Sequence, residues 1–364
     1  MRRYLTLLML LSCWDHIQAA DLPRKRSYTL ESIVHTAIPR AADLAMAPNG
    51  ATAVTCMDLQ EDGFLKFDAA SGELLSRHLK RDFNPQRVFW HGKKLLLLTD
   101  TNRKPEFRVL DCQSFERLNT FTLPDWRLYR ITSAALTSDG SQIWMGTMPT
   151  SSSLYGEVDS GLFCLSVSNG VCLQVAGNPP DKKYVGHFRE RRIPWMVCAN
   201  DTGGIIAIDP ENKSIISYST THKDPSRLVQ LDFTPTALPR KCSRYLPVAG
   251  EDHLHVMDLK TGKSVGELTF TGRPLAVCVD AAGTMAFVST ADSSILLQFD
   301  LPSLKKLQPI DLSRPKGIPD IADAARGKDV SDLVELRWAC NPDRLIAFGY
   351  DGYIFIIATV QRKE

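Results

Sequence analysis

The stretch from Pro274 to Leu307 reads PLAVCVDAAGTMAFVSTADSSILLQFDLPSLKKL. It holds three largely apolar runs separated by short polar turns, and a fourth run begins after the third turn. Gly283 lies in the first turn, and the third run ends in Phe299-Asp300. This pattern is typical of four antiparallel strands joined by hairpins. One such sheet cannot bury its own faces, so we expect copies of it to stack.

The apolar-Asp step that ends the third run recurs along the chain and sets the repeat length. The equivalent positions, two of which are aligned without an Asp, are Asp68, Asp111, Ser166, Asp209, Asp258, Asp300 and Ile357. Their base spacing is about 43 residues, which is in the range of propeller blades. An Asp at this step is expected to accept N–H bonds from the following turn and so favour the hairpin.

The two ends of the chain complete the count of strands. The last unit stops at Val360 after its third strand, whereas Ser27 to Ile38 is a strand-like run that belongs to no other unit. Pairing of these two ends would give every blade four strands and leave no open sheet edge. We therefore predict an all-β fold, a single seven-bladed β-propeller domain over residues 21–364. Its blades are four-stranded and antiparallel, and an N-terminal strand completes the last one. The only helix candidate is Pro319 to Arg326.

The repeat resembles the seven-bladed propellers of the WD-repeat and YVTN-repeat types. Turns such as Pro48-Asn49-Gly50 and Ser138-Asp139-Gly140 look most like the exported bacterial YVTN family, whereas no unit has a true Trp-Asp step. The resemblance covers essentially everything after residue 26. It implies a binding or scaffolding propeller and transfers no catalytic residue.

The first twenty residues have the order of a secretory signal peptide. Arg2 and Arg3 precede the apolar run Tyr4 to Leu11, and Ala19-Ala20 follow. We therefore expect an exported protein, periplasmic or extracellular, with residues 1–20 removed. Alternatively, Leu10 to Cys13 resembles a lipoprotein cleavage box that would leave the chain lipid-anchored at Cys13. No apolar run reaches the ~20 residues of a membrane-spanning helix, so no transmembrane segment is expected in the mature chain.

The amino-acid composition and net charge limit the classes of partner that the protein is expected to bind. The formal net charge of +2 is close to neutral, which argues against nucleic acid as a partner because that interaction needs many clustered basic residues. An apolar content of 44% and a charged content of 23% are ordinary for a globular protein.

Extra residues in the repeat point to one face of the ring. Two large insertions, 147–160 and 313–328, fall in loops that would emerge on the same face, and a smaller one near Thr234 to Tyr245 falls on the other. Long loops on a rigid scaffold often carry binding function. Neutral drift in loop length is the alternative interpretation.

A basic residue stands shortly before the predicted innermost strand of each blade. These residues are Arg40, Arg87, Arg130, Lys183, Arg227, Arg273 and Lys328. A ring of cations at the mouth of a central channel would favour an anionic ligand or an acidic protein surface. Alternatively, neighbouring Asp residues neutralise the ring, or the basic residue is simply common at this repeat position.

Chemistry-bearing motifs are sparse. Cys164 and Cys172 flank the turn Ser168-Asn169-Gly170 and could form a disulfide across a hairpin, or remain two unpaired strand cysteines. His253 and His255 alternate on one strand, but two histidines without a third ligand are a weak metal signal. We therefore predict no catalytic, cofactor-binding or metal-binding residues and no cofactor.

The favoured interpretation is an exported propeller that binds a protein or ligand through the face carrying the two large insertions. The alternative is a propeller enzyme of the lactonase or quinoprotein-like type, with its site at the mouth of the central channel.

Overall fold

The computed structural model describes the chain over residues 26–35, 41–57, 63–79, 85–101, 104–123, 130–148, 150–152, 156–158, 161–177, 194–210, 212–219, 225–291, 293–312, 333–339, 344–349 and 353–361. Across these residues the regular elements are all β-strands, and no helix occurs among them. The helix candidate at Pro319 to Arg326 lies outside the described residues, as do the first twenty residues.

Thirty-one strands follow one another along the described chain. The strand that precedes the first blade is β1 (Arg26–His35). Blades 1 and 2 comprise β2 (Ala41–Met46), β3 (Thr52–Met57), β4 (Gly63–Asp68), β5 (Leu74–Leu79), β6 (Pro85–His91), β7 (Lys94–Thr101), β8 (Lys104–Asp111) and β9 (Arg117–Thr122). Blade 3 comprises β10 (Arg130–Leu136), β11 (Gln142–Met148), β14 (Gly161–Ser166) and β15 (Cys172–Gly177), with an added hairpin of β12 (Thr150–Ser152) and β13 (Gly156–Val158).

The remaining strands form blades 4 to 7. Blade 4 comprises β16 (Met196–Asn200), β17 (Ile205–Asp209), β18 (Ser214–Tyr218) and β19 (Ser226–Gln230), with β20 (Lys241–Cys242) at its inner edge. Blade 5 comprises β21 (Tyr245–Ala249), β22 (His253–Asp258) and β23 (Lys263–Thr269). Blade 6 comprises β24 (Pro274–Val279), β25 (Met285–Thr290), β26 (Ile295–Asp300), β27 (Lys305–Lys306) and β28 (Ile310–Asp311), the last two pairing separately with β26. Blade 7 comprises β29 (Leu333–Ala339), β30 (Arg344–Gly349) and β31 (Tyr353–Gln361).

The predicted seven-bladed propeller is confirmed. The blades are antiparallel sheets whose strands run in chain order from the ring centre to the rim, except that β20 pairs in parallel at the inner edge of blade 4 and β1 forms the outer edge of blade 7. Middle strands are buried on both faces because a blade packs on either side of them, so all six residues of β25 are buried. Outer strands such as β9 are mostly exposed or half-buried.

The core is divided among the junctions between blades. Seven apolar clusters occur in the described residues, and each joins one pair of neighbouring blades. The cluster that closes the circle packs Leu44 and Phe67 of blade 1 against Ile346 of blade 7. Because every junction is filled, the ring is stabilised around its whole circumference rather than by one central core.

The predicted ring closure is confirmed as well. β1 pairs with β31 in antiparallel register from Arg26↔Gln361 to His35↔Tyr353, and it lies at the outer edge of the sheet β1-β31-β30-β29. The N-terminal strand therefore supplies the fourth strand of blade 7. We refer to the β1–β31 pair as the latch.

The Asp at the end of a strand has the predicted role in the turn. Asp68 Oδ1 accepts hydrogen bonds from the backbone N–H groups of Ala70 (2.9 Å) and Ser71 (2.7 Å). Asp111 Oδ1 accepts from Gln113 and Ser114 in the same way, at 2.9 Å each. Gly72, with a φ of 74°, then takes the left-handed conformation that ends the first of these turns. The repeating step in the sequence is thus a repeating turn in the structure.

These turn carboxylates predict a loss of stability in acid. Backbone hydrogen bonds, from Ser71 and Ser114 respectively, are the main reason that the pKa of Asp68 and of Asp111 is lowered. A lowered folded-state pKa stabilises the fold above the unfolded value of about 3.9 and ceases to do so as pH falls through the folded value. We therefore expect the urea midpoint to fall as the pH drops below about 4, and less so in the D68N/D111N variant, which keeps the acceptor oxygens. An equal pH dependence in the variant would contradict this assignment.

Blade 4 differs from the other blades at its inner edge. The step Ile208-Asp209 ends β17, which is the second strand of this blade in chain order and the third from the inner edge of its sheet, because β20 pairs beyond β16. β16 lies beside blade 3, where it contacts β10 and β11. An Asp at a strand end favours a turn whichever strand it follows, so the step marks turns and does not number strands.

The inner position of blade 5 is filled by an irregular segment rather than by a long strand. Ala237 bridges to Ala249 on β21, and further on β20 pairs in parallel with β16 of blade 4. The segment 231–242 therefore crosses from one blade to the next at the ring centre. It includes most of the smaller insertion near Thr234 to Tyr245.

Candidate binding face

The inner strands of five blades begin with the same irregularity. A β-bulge interrupts the register near the start of β2, β6, β10, β24 and β29. These starts lie on the face where blade-to-blade loops and second-to-third-strand loops emerge, which we call the insertion face. A bulge re-aims side chains and frees backbone groups, and polar residues at three of these bulges connect one blade to the next.

Asp43 connects blade 1 to blade 2. Its side chain is fully buried, with 0% exposure. Oδ2 accepts a hydrogen bond from the backbone N–H of Val88 on β6 at 2.8 Å, and Oδ1 accepts from its neighbour Leu44 at 2.8 Å. A buried carboxylate needs such partners to offset its desolvation.

Arg87 connects blade 2 to blade 3. Its Nη2 donates to the carbonyl oxygens of Ile131 (2.9 Å) and Thr132 (3.2 Å) on β10, and Nη1 donates to the carbonyl of Gln86 (2.7 Å). Two of its nitrogens are therefore directed to backbone carbonyls. The residue predicted as part of a channel-mouth cation ring acts here as a link between blades.

Thr132 and Ser133 connect blade 3 to blade 4. Thr132 Oγ1 donates to the carbonyl of Trp195 at 3.1 Å, and Ser133 Oγ accepts from the backbone N–H of Val197 at 3.0 Å. A Cβ on Gly146 would stand 2.0 Å from the Trp195 carbonyl oxygen. Glycine at this position therefore permits the close approach of the two blades.

One ion pair joins opposite sides of the ring. Arg240, from the segment 231–242, places Nη2 at 2.6 Å from Asp43 Oδ1. Its guanidinium also lies 5.7 Å from the ring centre of Phe89 on β6. Because blades 4 and 5 stand across the ring from blades 1 and 2, this side chain spans the channel. Its own exposure is 18%, so the pair is largely removed from solvent.

The insertion between the second and third strands of blade 3 has a structure of its own. β12 and β13 pair antiparallel, from Thr150↔Val158 to Ser152↔Gly156, and form a two-stranded sheet separate from the seven blades. We call it the blade 3 hairpin. It confirms the predicted place of insertion 147–160 in the blade, whereas insertion 313–328 lies outside the described residues.

Of the other predicted basic residues, two lie at the start of an inner strand. Arg130 is the first residue of β10, and Arg273 is exposed and directly precedes β24. Arg227 lies on β19, at the outer edge of blade 4, where it pairs with Ile216 and so does not precede an inner strand. Arg40, Lys183 and Lys328 lie outside the described residues. The cation that reaches the channel, Arg240, was missed; the smaller insertion was the only signal for it.

The predicted disulfide between Cys164 and Cys172 is not formed. Both are free thiols, and the register pairs Cys164 with Leu173 and Cys172 with Leu165. Directly opposed residues share a face and adjacent residues do not, so the two cysteines project from opposite faces of blade 3. Burial raises the pKa of Cys164 to about 11 and that of Cys172 to about 12.

The two alternating histidines pack on an aromatic ring. Phe233 contacts His253 edge-on, at 4.5 Å between ring centres, and lies 5.6 Å from the ring of His255. His253 Nδ1 is 2.9 Å from Asp252 Oδ1, and His255 Nδ1 is 3.3 Å from Glu267 Oε1. Through Phe233, the two histidines thus pack the segment 231–242 against blade 5. In the described part of the chain, no three His, Cys, Asp or Glu side chains are grouped as metal ligands.

Two grooves lie on the face opposite the insertion face. One, of about 510 Å³, lies between blades 2 and 3 and is lined by His91, Lys94, Phe121 and the turn residues Ser141 and Ser168. The other, of about 370 Å³, lies between blades 1 and 2. Both are open clefts between neighbouring hairpins. Substitutions in them alter the opposite face and leave the insertion face unchanged.

Comparison with protein-family models found no matching family, and comparison with curated proteins found no similar protein. The class that the structure establishes is therefore the seven-bladed β-propeller. Among the residues described, no helix is long and apolar enough to cross a membrane.

Proposed function

We propose that the chain is a binding scaffold that engages a protein partner through the insertion face. The observation that carries this proposal is the blade 3 hairpin, which forms a sheet of its own beside the blade. A short hairpin on a rigid ring presents backbone and side-chain groups at low entropic cost to a partner. The second large insertion, 313–328, would emerge on the same face.

The channel itself is less suited to a small anionic ligand than the basic ring suggested. Asp43 neutralises Arg240, and Arg87 donates to backbone carbonyls. Arg240 and Arg87 are therefore engaged within the protein, whereas Arg273 is exposed. The engagement of these two side chains supports recognition by the loops around the mouth; the lactonase or quinoprotein-like enzyme, whose site would occupy the mouth, remains the alternative.

Export is part of the proposal. The signal-like order of residues 1–20 and the resemblance to exported YVTN-type propellers support it. Mass spectrometry of the N-terminus, after expression of the full-length chain, distinguishes the routes: a start soon after Ala20 indicates signal cleavage, and a lipid-modified Cys13 indicates a lipoprotein. An intact N-terminus in the exported fraction would contradict both.

Shortening the blade 3 hairpin is expected to remove binding and leave the fold intact. Residues 150–158 are replaced by a Gly-Ser-Gly turn, and a Lys94→Glu variant in the opposite-face groove is the matched control. Cross-linking from cells that express each tagged protein should identify a partner with wild type and the control, and at least tenfold less of it with the shortened variant. If the shortened variant has an unchanged circular dichroism spectrum and recovers as much partner as wild type, the assignment of binding to the insertion face is wrong. Loss with the control alone would place binding on the opposite face.

A further inference from the structure

A second pair of cysteines is brought together where the segment 231–242 meets blade 4. Cys198 lies on β16 and Cys242 on β20, and the parallel register sets Cys242 opposite Asn200. Cys198 and Asn200 are two residues apart on one strand, so their side chains share a face of the sheet. Cys198 and Cys242 are therefore diagonal neighbours on one face.

Both thiols are inside the protein. Cys198 is 0% exposed and Cys242 is 2% exposed, and both belong to the apolar cluster between blades 4 and 5. Burial is the main reason that the pKa of Cys198 is raised well above its ordinary value. The two thiols thus share one apolar cluster and one face of the sheet, and both are free in this structure.

The spacing is close to that of a disulfide. Diagonal neighbours in a sheet have Cα atoms roughly 7–8 Å apart, whereas a disulfide usually joins Cα atoms about 4.4–6.8 Å apart. To reach the commonest disulfide spacing of about 5.5–6 Å, the two Cα atoms must approach by about 1–2.5 Å. β20 is two residues long and at a sheet edge, so it can shift by this amount more easily than a central strand.

We propose that Cys198 and Cys242 form a disulfide when the chain folds in the presence of a disulfide oxidant. Each thiol gives up one hydrogen as the S–S bond forms, and the two electrons and two protons reduce the oxidant's disulfide to two thiols. Because both thiols are inaccessible after folding, the exchange takes place before the segment 231–242 packs. Buried thiols react slowly, so the finished bond is also protected from reductants.

The bond would fix the position of Arg240. Arg240 is two residues before Cys242 and carries the ion pair with Asp43. Joining Cys242 to the inner strand of blade 4 ties the segment 231–242 to the ring on the side opposite Asp43. The chain between the two cysteines is long, and closing a long loop is expected to stabilise the folded state.

The test uses the full chain refolded from the reduced, denatured state, with glutathione disulfide or with dithiothreitol. Each sample is denatured, alkylated with iodoacetamide, digested and mapped by mass spectrometry. We expect the oxidised sample to contain a cross-linked peptide joining Cys198 and Cys242, about 2 Da lighter than the sum of the two thiol peptides, and the reduced sample to lack it. Its thermal midpoint should also be several degrees higher.

Two controls separate this bond from random oxidation. A C164S/C172S variant should retain the cross-linked peptide, since those cysteines face opposite sides of another blade. A Cys242→Ser variant should lose it, but the conclusion does not depend on whether that variant folds, because the bond is mapped in the wild-type chain. Recovery of Cys198 and Cys242 as alkylated thiols from the oxidised sample, or in bonds to other cysteines, would overturn the proposal.

Discussion

Replacing Asp43 by alanine is expected to lower the free energy of unfolding by about 3–5 kcal/mol, the range for breaking a buried ion pair by removing one partner. The substitution leaves the Arg240 guanidinium, which is only 18% exposed, without its carboxylate. It also removes the acceptor for the backbone N–H groups of Leu44 and Val88. Urea denaturation followed by tryptophan fluorescence measures the change.

The neighbouring ion pair provides the control. Lys241 and Asp201 are also 2.6 Å apart, but their side chains are 59% and 39% exposed. Solvent-exposed pairs contribute about 0–1 kcal/mol, so Lys241→Ala should change stability little. If Asp43→Ala and Lys241→Ala had equal effects, the ion pair across the channel would not be the stabilising contact described above.

A double-mutant cycle separates the charge from the backbone contacts. In the D43A/R240M variant the unpaired guanidinium is gone, so a large part of the loss in D43A should be recovered. What remains includes the cost of the two backbone N–H groups that Asp43 had satisfied, because both are left unpaired. Additive losses would show that the two residues do not couple.

Replacing Tyr28 by alanine is expected to cost about 3–5 kcal/mol, as for other large aromatic residues removed from a core. Tyr28 is 4% exposed and packs edge-on against Phe287 of blade 6, with ring centres 4.9 Å apart. It lies on β1, so its removal weakens both the latch and the junction between blades 6 and 7. Chemical denaturation measures the loss, and hydrogen exchange should show the amides of β31 losing protection first.

The control for the latch comes from the same strand. Glu31 is exposed and contacts Arg344 at 3.0 Å, so Glu31→Ala should cost less than about 1 kcal/mol. A similar cost for Tyr28→Ala and Glu31→Ala would mean that β1 contributes little to ring closure. Faster exchange in blades far from β31, with β31 itself unchanged, would point to the same conclusion.

The features that were predictable from sequence depend on local interactions. The turn after Asp68 or Asp111 is specified within four residues, because the carboxylate binds N–H groups two and three positions later. Such turns repeat at blade length, so the repeat could be read without knowing which residues meet across the ring. The latch followed from counting strands at the two ends of the chain.

The features that were missed depend on the ring geometry and on register. Asp43 and Arg240 are 197 positions apart, and only the closed ring brings them together. Cys164 and Cys172 were the right distance apart for a hairpin, but a shift of one residue in the register decides which face each thiol takes. In blade 4 the turn after Asp209 was correctly located. The position of β17 within its sheet could not be predicted, because it depends on β20, which comes later in the chain and pairs beside β16.

The direction of the latch strands has a mechanical consequence. Arg26 and Gln361 are paired at the same end of β1 and β31, so the first residue of β1 and the last residue of β31 lie side by side. Tension applied between these two residues loads the hydrogen bonds of the latch one after another and not all at once in shear. Under such tension the ring is therefore expected to open at the latch while the blades remain folded.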